Sequence, residues 1–341
     1  MKPLLVAAPA LLAAALAADQ PTDWSQVKDE WSKDFAASKA ICRKLLDYPV
    51  PRAAELDTKV TASLGGCDSE ALYYGIGRAP DPAKARACAL LEVKQGDDSV
   101  FGGRTMLMTV YANGRGARRD LDLATHLACQ IDGAPFERDG RVRHLAELKA
   151  KGWTGSDFDY CDDVTSGLAV GYCADRDARK ADAVREVRIG RIASGFTPAQ
   201  RQAFERLRKA HAAFVDAHSS GEIDLNGTAR AAIAIGEDEK LKDEFLGLLQ
   251  RLSGGGVGAV PAFAAADAKL NAGYRRFVRA IEPSDAPGSV TREGVVATQR
   301  AWLKYRDAFL DFAAAAYPKV SRDALAAWLT EKRTAMFTSA E

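Results

Sequence analysis

Apolar positions recur at helical spacing along nearly the whole chain, and no stretch alternates convincingly as a strand or a β-hairpin, so the pattern predicts an all-α protein. Residues 23–46 read as an amphipathic helix that ends near Pro49, and flanking helices are expected over 30–64 and 136–150. Thr197-Pro198-Ala199-Gln200 combines an N-cap, a proline at the first helical position and a capping box. Ser321 is placed to cap a helix ending near Phe337, and Pro318 stops a helix that begins near Thr291. Gly254-Gly255-Gly256-Val257-Gly258 is too flexible for a helix interior and reads as a linker. It lacks the Gly-Lys-Ser/Thr ending of a phosphate loop.

Two segments repeat one pattern. Gly75, Gly77, Asp81 and Ala85 are matched by Gly114, Gly116, Asp120 and Ala124, each pair 39 residues apart. Glycines permit a tight turn at positive φ, the aspartate caps the next helix, and the alanine lets two helices come close. This helix–turn–helix logic resembles Sel1-like repeats, relatives of tetratricopeptide repeats, and implies a short solenoid over about residues 30–150 that presents a face to partners. A loop around Lys151–Ser156 ends it.

The remainder reads as two related halves, 161–252 and 260–341. Ala181-Asp182-Ala183 echoes Ala266-Asp267-Ala268, and His211 and Phe214 echo Gln299 and Trp302. In the second half Asp267, Asn271 and Tyr274 fall on one helical stripe, and Gln299, Trp302 and Arg306 on another. Such stripes are either a structural clasp or an interface anchor. In the clasp, Arg306 bonds Asp267 or Asn271 while Trp302 and Tyr274 are buried between helices. With Leu270, Asp307 and Leu329-Thr330-Glu331-Lys332-Arg333 added, this half resembles the lysozyme inhibitor LprI family of secreted helical proteins. The resemblance implies an exported inhibitor that binds lysozyme, including the c-type, and blocks peptidoglycan cleavage. It would do so through a loop such as 254–260 or 283–290. The family's cysteine after the Arg-Asp pair is replaced here by the neighbourhood of Phe309 and Leu310. The first half keeps Cys161, Cys173 and Asp182 but carries His211 and His218 at the Gln and Arg positions.

The N-terminus fits export. Lys2 precedes the apolar run Leu4–Leu16, and Ala15-Leu16-Ala17 supplies a cleavage site, so residues 1–17 are expected to be a signal peptide. No lipid-anchoring cysteine follows. The expected domains are then 18–155, the repeat region, and 156–341, the helical domain, in a periplasmic or secreted protein without a membrane span. Lys and Arg total 47 against 46 Asp and Glu, a balance that argues against a nucleic-acid binder. The six cysteines, Cys42, Cys67, Cys88, Cys129, Cys161 and Cys173, are an even set and read as disulfides in an exported chain. Their pairing is open from sequence, with Cys161–Cys173 expected as a local clasp.

No catalytic motif emerges. There is no metalloprotease, nucleophile-elbow, Walker or dinucleotide pattern, and the cysteine and histidine spacings match no zinc site. Neither a cofactor nor a metal is expected. The reading is a protein that binds a protein partner without catalysis. The alternative is a non-inhibitory envelope scaffold working through its repeats.

Overall fold

The computed structural model describes residues 22–28, 34–97, 99–284 and 286–338; the expected leader lies outside them. Among these residues the regular structure is helical throughout. The helices are α1 (Ala36–Leu45), α2 (Thr58–Ser63), α3 (Ser69–Tyr74), α4 (Pro82–Gln95), α5 (Gly103–Asn113), α6 (Leu121–Gln130) and α7 (Pro135–Ala150). They continue with α8 (Gly167–Ala193), α9 (Pro198–Gly221), α10 (Arg230–Ser253), α11 (Phe263–Ala280), α12 (Arg292–Ala316) and α13 (Arg322–Thr338). The chain separates into two compact units, one holding residues up to Ser69 together with Pro82–Tyr160, the other Glu70–Asp81 together with the chain from Cys161.

In the first unit α4, α5, α6 and α7 pack each on the next. The α4–α5 contact needs a glycine: a Cβ at Gly103 would stand 2.3 Å from the Ala89 carbonyl oxygen. The 39-residue repeat has a common backbone basis. Asp81 N–H donates to Leu72 O at 2.7 Å, and Asp120 N–H donates to Tyr111 O at 3.0 Å, closing the same turn twice. Gly75, Gly77, Gly114 and Gly116 all have positive φ, as the turn demands. Asp120 caps α6 by accepting from Leu123 N–H, and Ala85 and Ala124 are fully buried.

The N-terminal helix is shorter than its sequence pattern suggests. Trp24–Gln26 is a single 3-10 turn, Val27 is extended, and α1 begins only at Ala36; residues 29–33 of the expected helix lie outside the described residues. The reason is capture of the backbone by side chains: the Val27 carbonyl accepts from Lys39 Nζ, and Trp24 is fully buried with its indole N–H donating to Ser38 Oγ. The flanking stretch 30–64 is likewise interrupted after Leu45, and α2 starts at Thr58. The Cys42–Cys129 disulfide ties α1 to α6, and Cys67–Cys88 ties the loop after α2 to α4.

The second unit is built from two three-helix sets. In each, the first and third helices lie side by side and parallel. Arg185 of α8 bonds Asp243 and Glu239 of α10, and Lys269 of α11 bonds Glu331 of α13. The middle helices α9 and α12 pair with each other, antiparallel, and form the core. Phe214 stacks on Tyr305, Phe204 packs against Phe312, and Thr298 Oγ1 donates to the Ala217 carbonyl at 2.6 Å. The expected caps are present: Thr197 and Gln200 exchange bonds at the start of α9, and Ser321 Oγ accepts from Ala324 N–H at the start of α13. Segment 70–81 joins this unit through α8, where Arg179 pairs with Glu70 and Arg176 stacks over Tyr74. The Cys161–Cys173 disulfide closes beside it, as expected.

Candidate functional site

The two polar-aromatic stripes lie on α11 and α12, but they do not clasp each other as expected. Asn271 Nδ2 donates to the Asp267 carbonyl and carboxylate, both at 2.9 Å, and this pair is spent within α11. Arg306 donates to its neighbour Asp307 at 2.9 and 3.0 Å. Its guanidinium also lies over the Trp302 and Phe263 rings. The reason is reach: Asp307 is adjacent and exposed, so the pair forms without desolvating a second carboxylate. Trp302 is buried, Tyr274 is half-buried against Phe337, and Asn271 is exposed.

A charged contact that joins the two halves lies deeper. Arg333 of α13 is fully buried. Its guanidinium donates to both Glu222 oxygens, at 2.8 Å to Oε2, and its Nε donates to Gln299 Oε1 at 3.0 Å. His218 Nδ1 lies 2.9 Å from Glu222 Oε2. Arg333 also lies 4.4 Å from the Phe337 ring centre. Burial alone pushes the Glu222 carboxyl up, yet the bonds from His218 and Arg333 prevail and hold it below its ordinary value. A bidentate Arg–carboxylate pair of this kind is rigid and directional. Of the residues singled out in the sequence, Gln299, His218 and Arg333 belong to this node, whereas Arg306, Asp267 and Asn271 do not. Glu222 carried no motif; its signal was its place one turn after His218, at a helix C-terminus where an acid is otherwise unfavourable.

His211 occupies the place in the first half that Gln299 occupies in the second. It stacks on Phe245 at 4.3 Å, where the second half has Gln299 bonded to Arg333. Burial lowers its pKa to about 4, so the ring is neutral at pH 7. A small cavity of about 20 Å³ lies between His211, Trp302, Tyr305 and Arg333.

Residues 259–337 match the family described as Lysozyme inhibitor LprI. No curated protein and no solved structure matches the chain. The LprI-like stretch spans α11, α12 and nearly all of α13, and it contains Gln299, Trp302, Arg306 and Arg333. Glu222 and His218 lie outside it, so the buried node links the LprI-like half to the half before it. The apolar face of LprI-like α12, with Trp302, Tyr305 and Phe309, is covered by α9 and α10 and is closed to any other protein.

Among the described residues, two open features of the surface bear on partner binding. One is the α11–α12 loop, where Asp224, Asn226, Phe277, Ile281, Ser284 and Ser289 line a recess of about 290 Å³. Leu225 N–H donates to the Gly288 carbonyl at 2.8 Å and pins this loop. The other is a groove of about 1060 Å³ in the first unit, beside Tyr48, Pro51, Arg86, Tyr111, Arg118 and Lys149. Its walls are internally braced: Tyr48 OH donates to Asp120, and Arg86 Nε donates to Tyr111 OH. Loop 254–260 is less open at its centre, because Val257 is buried. Among the described residues no helix is long and apolar enough to cross a membrane. Three disulfides suit an oxidising compartment.

Proposed function

We propose that this is an exported protein that binds lysozyme or a closely related partner and does not itself catalyse a reaction. The observation that carries the reading is the LprI match across one complete three-helix set. With the inner face of α12 already covered, the partner surface must lie outside it. The best supported edge is the loop Ile281–Val290, which is pinned at Gly288 and flanked by Arg275, Arg279 and Arg292. Arg275 and Arg279 are exposed, and Arg292 is anchored by donating to the Val278 and Ile281 carbonyls. Basic side chains beside a braced loop complement a cleft lined by two catalytic carboxylates. The Asp267–Asn271 pair, exposed at Asn271, and the Arg306–Asp307 pair extend the same half as secondary contacts.

The test is hydrolysis of bacterial cell walls by c-type lysozyme in the presence of the purified, oxidised protein. Dose-dependent inhibition is expected, with loss of at least tenfold in potency for Arg275→Glu combined with Arg279→Glu. A correctly folded protein that leaves lysozyme fully active at high molar excess would refute it. The braced groove of the first unit favours a second reading, an envelope scaffold that docks an extended segment through its repeats. Substitution of Arg86 and Arg118 would then abolish partner capture while leaving lysozyme assays unchanged.

A further inference from the structure

The three disulfides sit in different chemical surroundings. Cys42 and Cys129 are both fully buried. Cys67 and Cys88 form a cluster with Glu92 in which both sulfurs and a carboxylate oxygen lie within 4.8 Å of one another. No such cluster surrounds Cys42–Cys129 among the described residues. Glu92 stands one helical turn after Cys88, with Oε1 3.4 Å from Cys88 Sγ. It is 8% exposed and is held in place by Ser69, whose N–H donates to Oε1 at 2.9 Å and whose hydroxyl donates to Oε2.

The two residues are also unequal in exposure. Cys88 is fully buried, whereas Cys67 is half-buried at the edge of the Leu64, Ala87 and Leu91 cluster and follows Gly65 and Gly66, around which space is open. An exchangeable disulfide needs this asymmetry: one sulfur that an incoming thiolate can reach, and a leaving sulfur beside a group that can protonate it. A disulfide that serves only as a staple needs neither.

We propose that Cys67–Cys88 is a site of thiol–disulfide exchange, open at Cys67 to an external dithiol and served at Cys88 by Glu92 as proton donor and acceptor. The thiolate of the dithiol attacks Cys67 Sγ, forming a mixed disulfide as the Cys67–Cys88 bond breaks. The electron pair leaves on Cys88 Sγ, which takes the Glu92 proton. The second thiol of the dithiol then loses its proton to Glu92 and displaces Cys67 as thiolate. The dithiol is oxidised to its disulfide and the Cys67/Cys88 pair is reduced by two electrons. Burial raises the Glu92 carboxyl, the Ser69 bonds oppose this, and the charges of Asp97 and Asp68 add to the rise. The acid form therefore persists to higher pH than for an ordinary glutamate.

The experiment treats the intact, oxidised protein with dithiothreitol under native conditions, quenches by alkylation, and follows each cysteine pair by mass spectrometry across pH. Cys67–Cys88 is expected to open first, at least tenfold faster than Cys42–Cys129. Glu92→Gln should slow that opening about tenfold at pH values where the native carboxyl is protonated, with the deficit shrinking as pH rises and the native acid loses its proton. Opening of Cys161–Cys173 should not change, which serves as an internal control for folding. Should Glu92→Gln fail to fold, Ser69→Ala retains the carboxyl and is expected to move the pH at which acceleration fades upward. Equal opening rates for the three disulfides in the native protein would overturn the proposal. So would a folded Glu92→Gln variant with an unaltered rate at every pH.

Discussion

Arg333 shows what one residue can commit a fold to. A guanidinium with no exposed surface is tolerable only because Glu222, Gln299 and two aromatic rings surround it. Arg333→Ala leaves Glu222 buried with only His218 beside it, and a loss of roughly 3–5 kcal/mol is expected in chemical denaturation. Replacing the pair together, Arg333→Met with Glu222→Leu, should recover most of that loss. His211 gives a second prediction. Its folded pKa of about 4 lies below the ordinary 6.5, so between these values the unfolded chain binds more protons than the native one. Stability should therefore fall as pH drops from 6.5 toward 4, by about 3 kcal/mol in all. His211→Phe should flatten the slope of unfolding free energy measured between pH 5 and 7. Glu222 adds its own loss only below its ordinary carboxylate value of 4.5, outside that window.

At the scale of elements, the decisive contact is the crossing of α9 and α12. Their backbones approach at Gly221 and Gly294, where a Cβ on Gly294 would stand 2.7 Å from the Gly221 carbonyl oxygen. Gly294→Val should push the helices apart there and cost about 1–3 kcal/mol, read as a lowered thermal midpoint. Much of the helix inventory was legible beforehand, because caps and periodicity are local. Thr197, Ser321, Pro318 and the paired glycine turns each act within a few residues. Trp24 and Lys39 were misleading for the same reason: their spacing fits a helix, but tertiary contacts drew the backbone at Val27 out of it. The Glu222–Arg333 bond was not legible, since it joins residues 111 apart in sequence and neither carries a local signature of the other. The Arg306 clasp failed because periodicity tells which face a side chain occupies and not which of several acids it will meet.

At the scale of the second unit, each three-helix set lends its middle helix to the other's core. Neither set is then complete alone. A fragment carrying residues 259–341 exposes Trp302, Tyr305, Phe309 and Phe312, all buried in the intact chain. It is expected to self-associate, with light scattering giving at least twice the monomer mass. A monodisperse monomer would show that α12 does not depend on α9 for cover.

That shared seam has a bearing on stoichiometry. A chain made of two similar halves offers two copies of every outer surface, and could in principle hold two partners. Here the copies have diverged in charge: Arg185, Lys242 and three acids bind α8 to α10, whereas Lys269 pairs with Glu331 between α11 and α13. One half thus keeps the LprI-like surface while the other braces it from behind, and under the proposed function a titration should saturate at one lysozyme per chain.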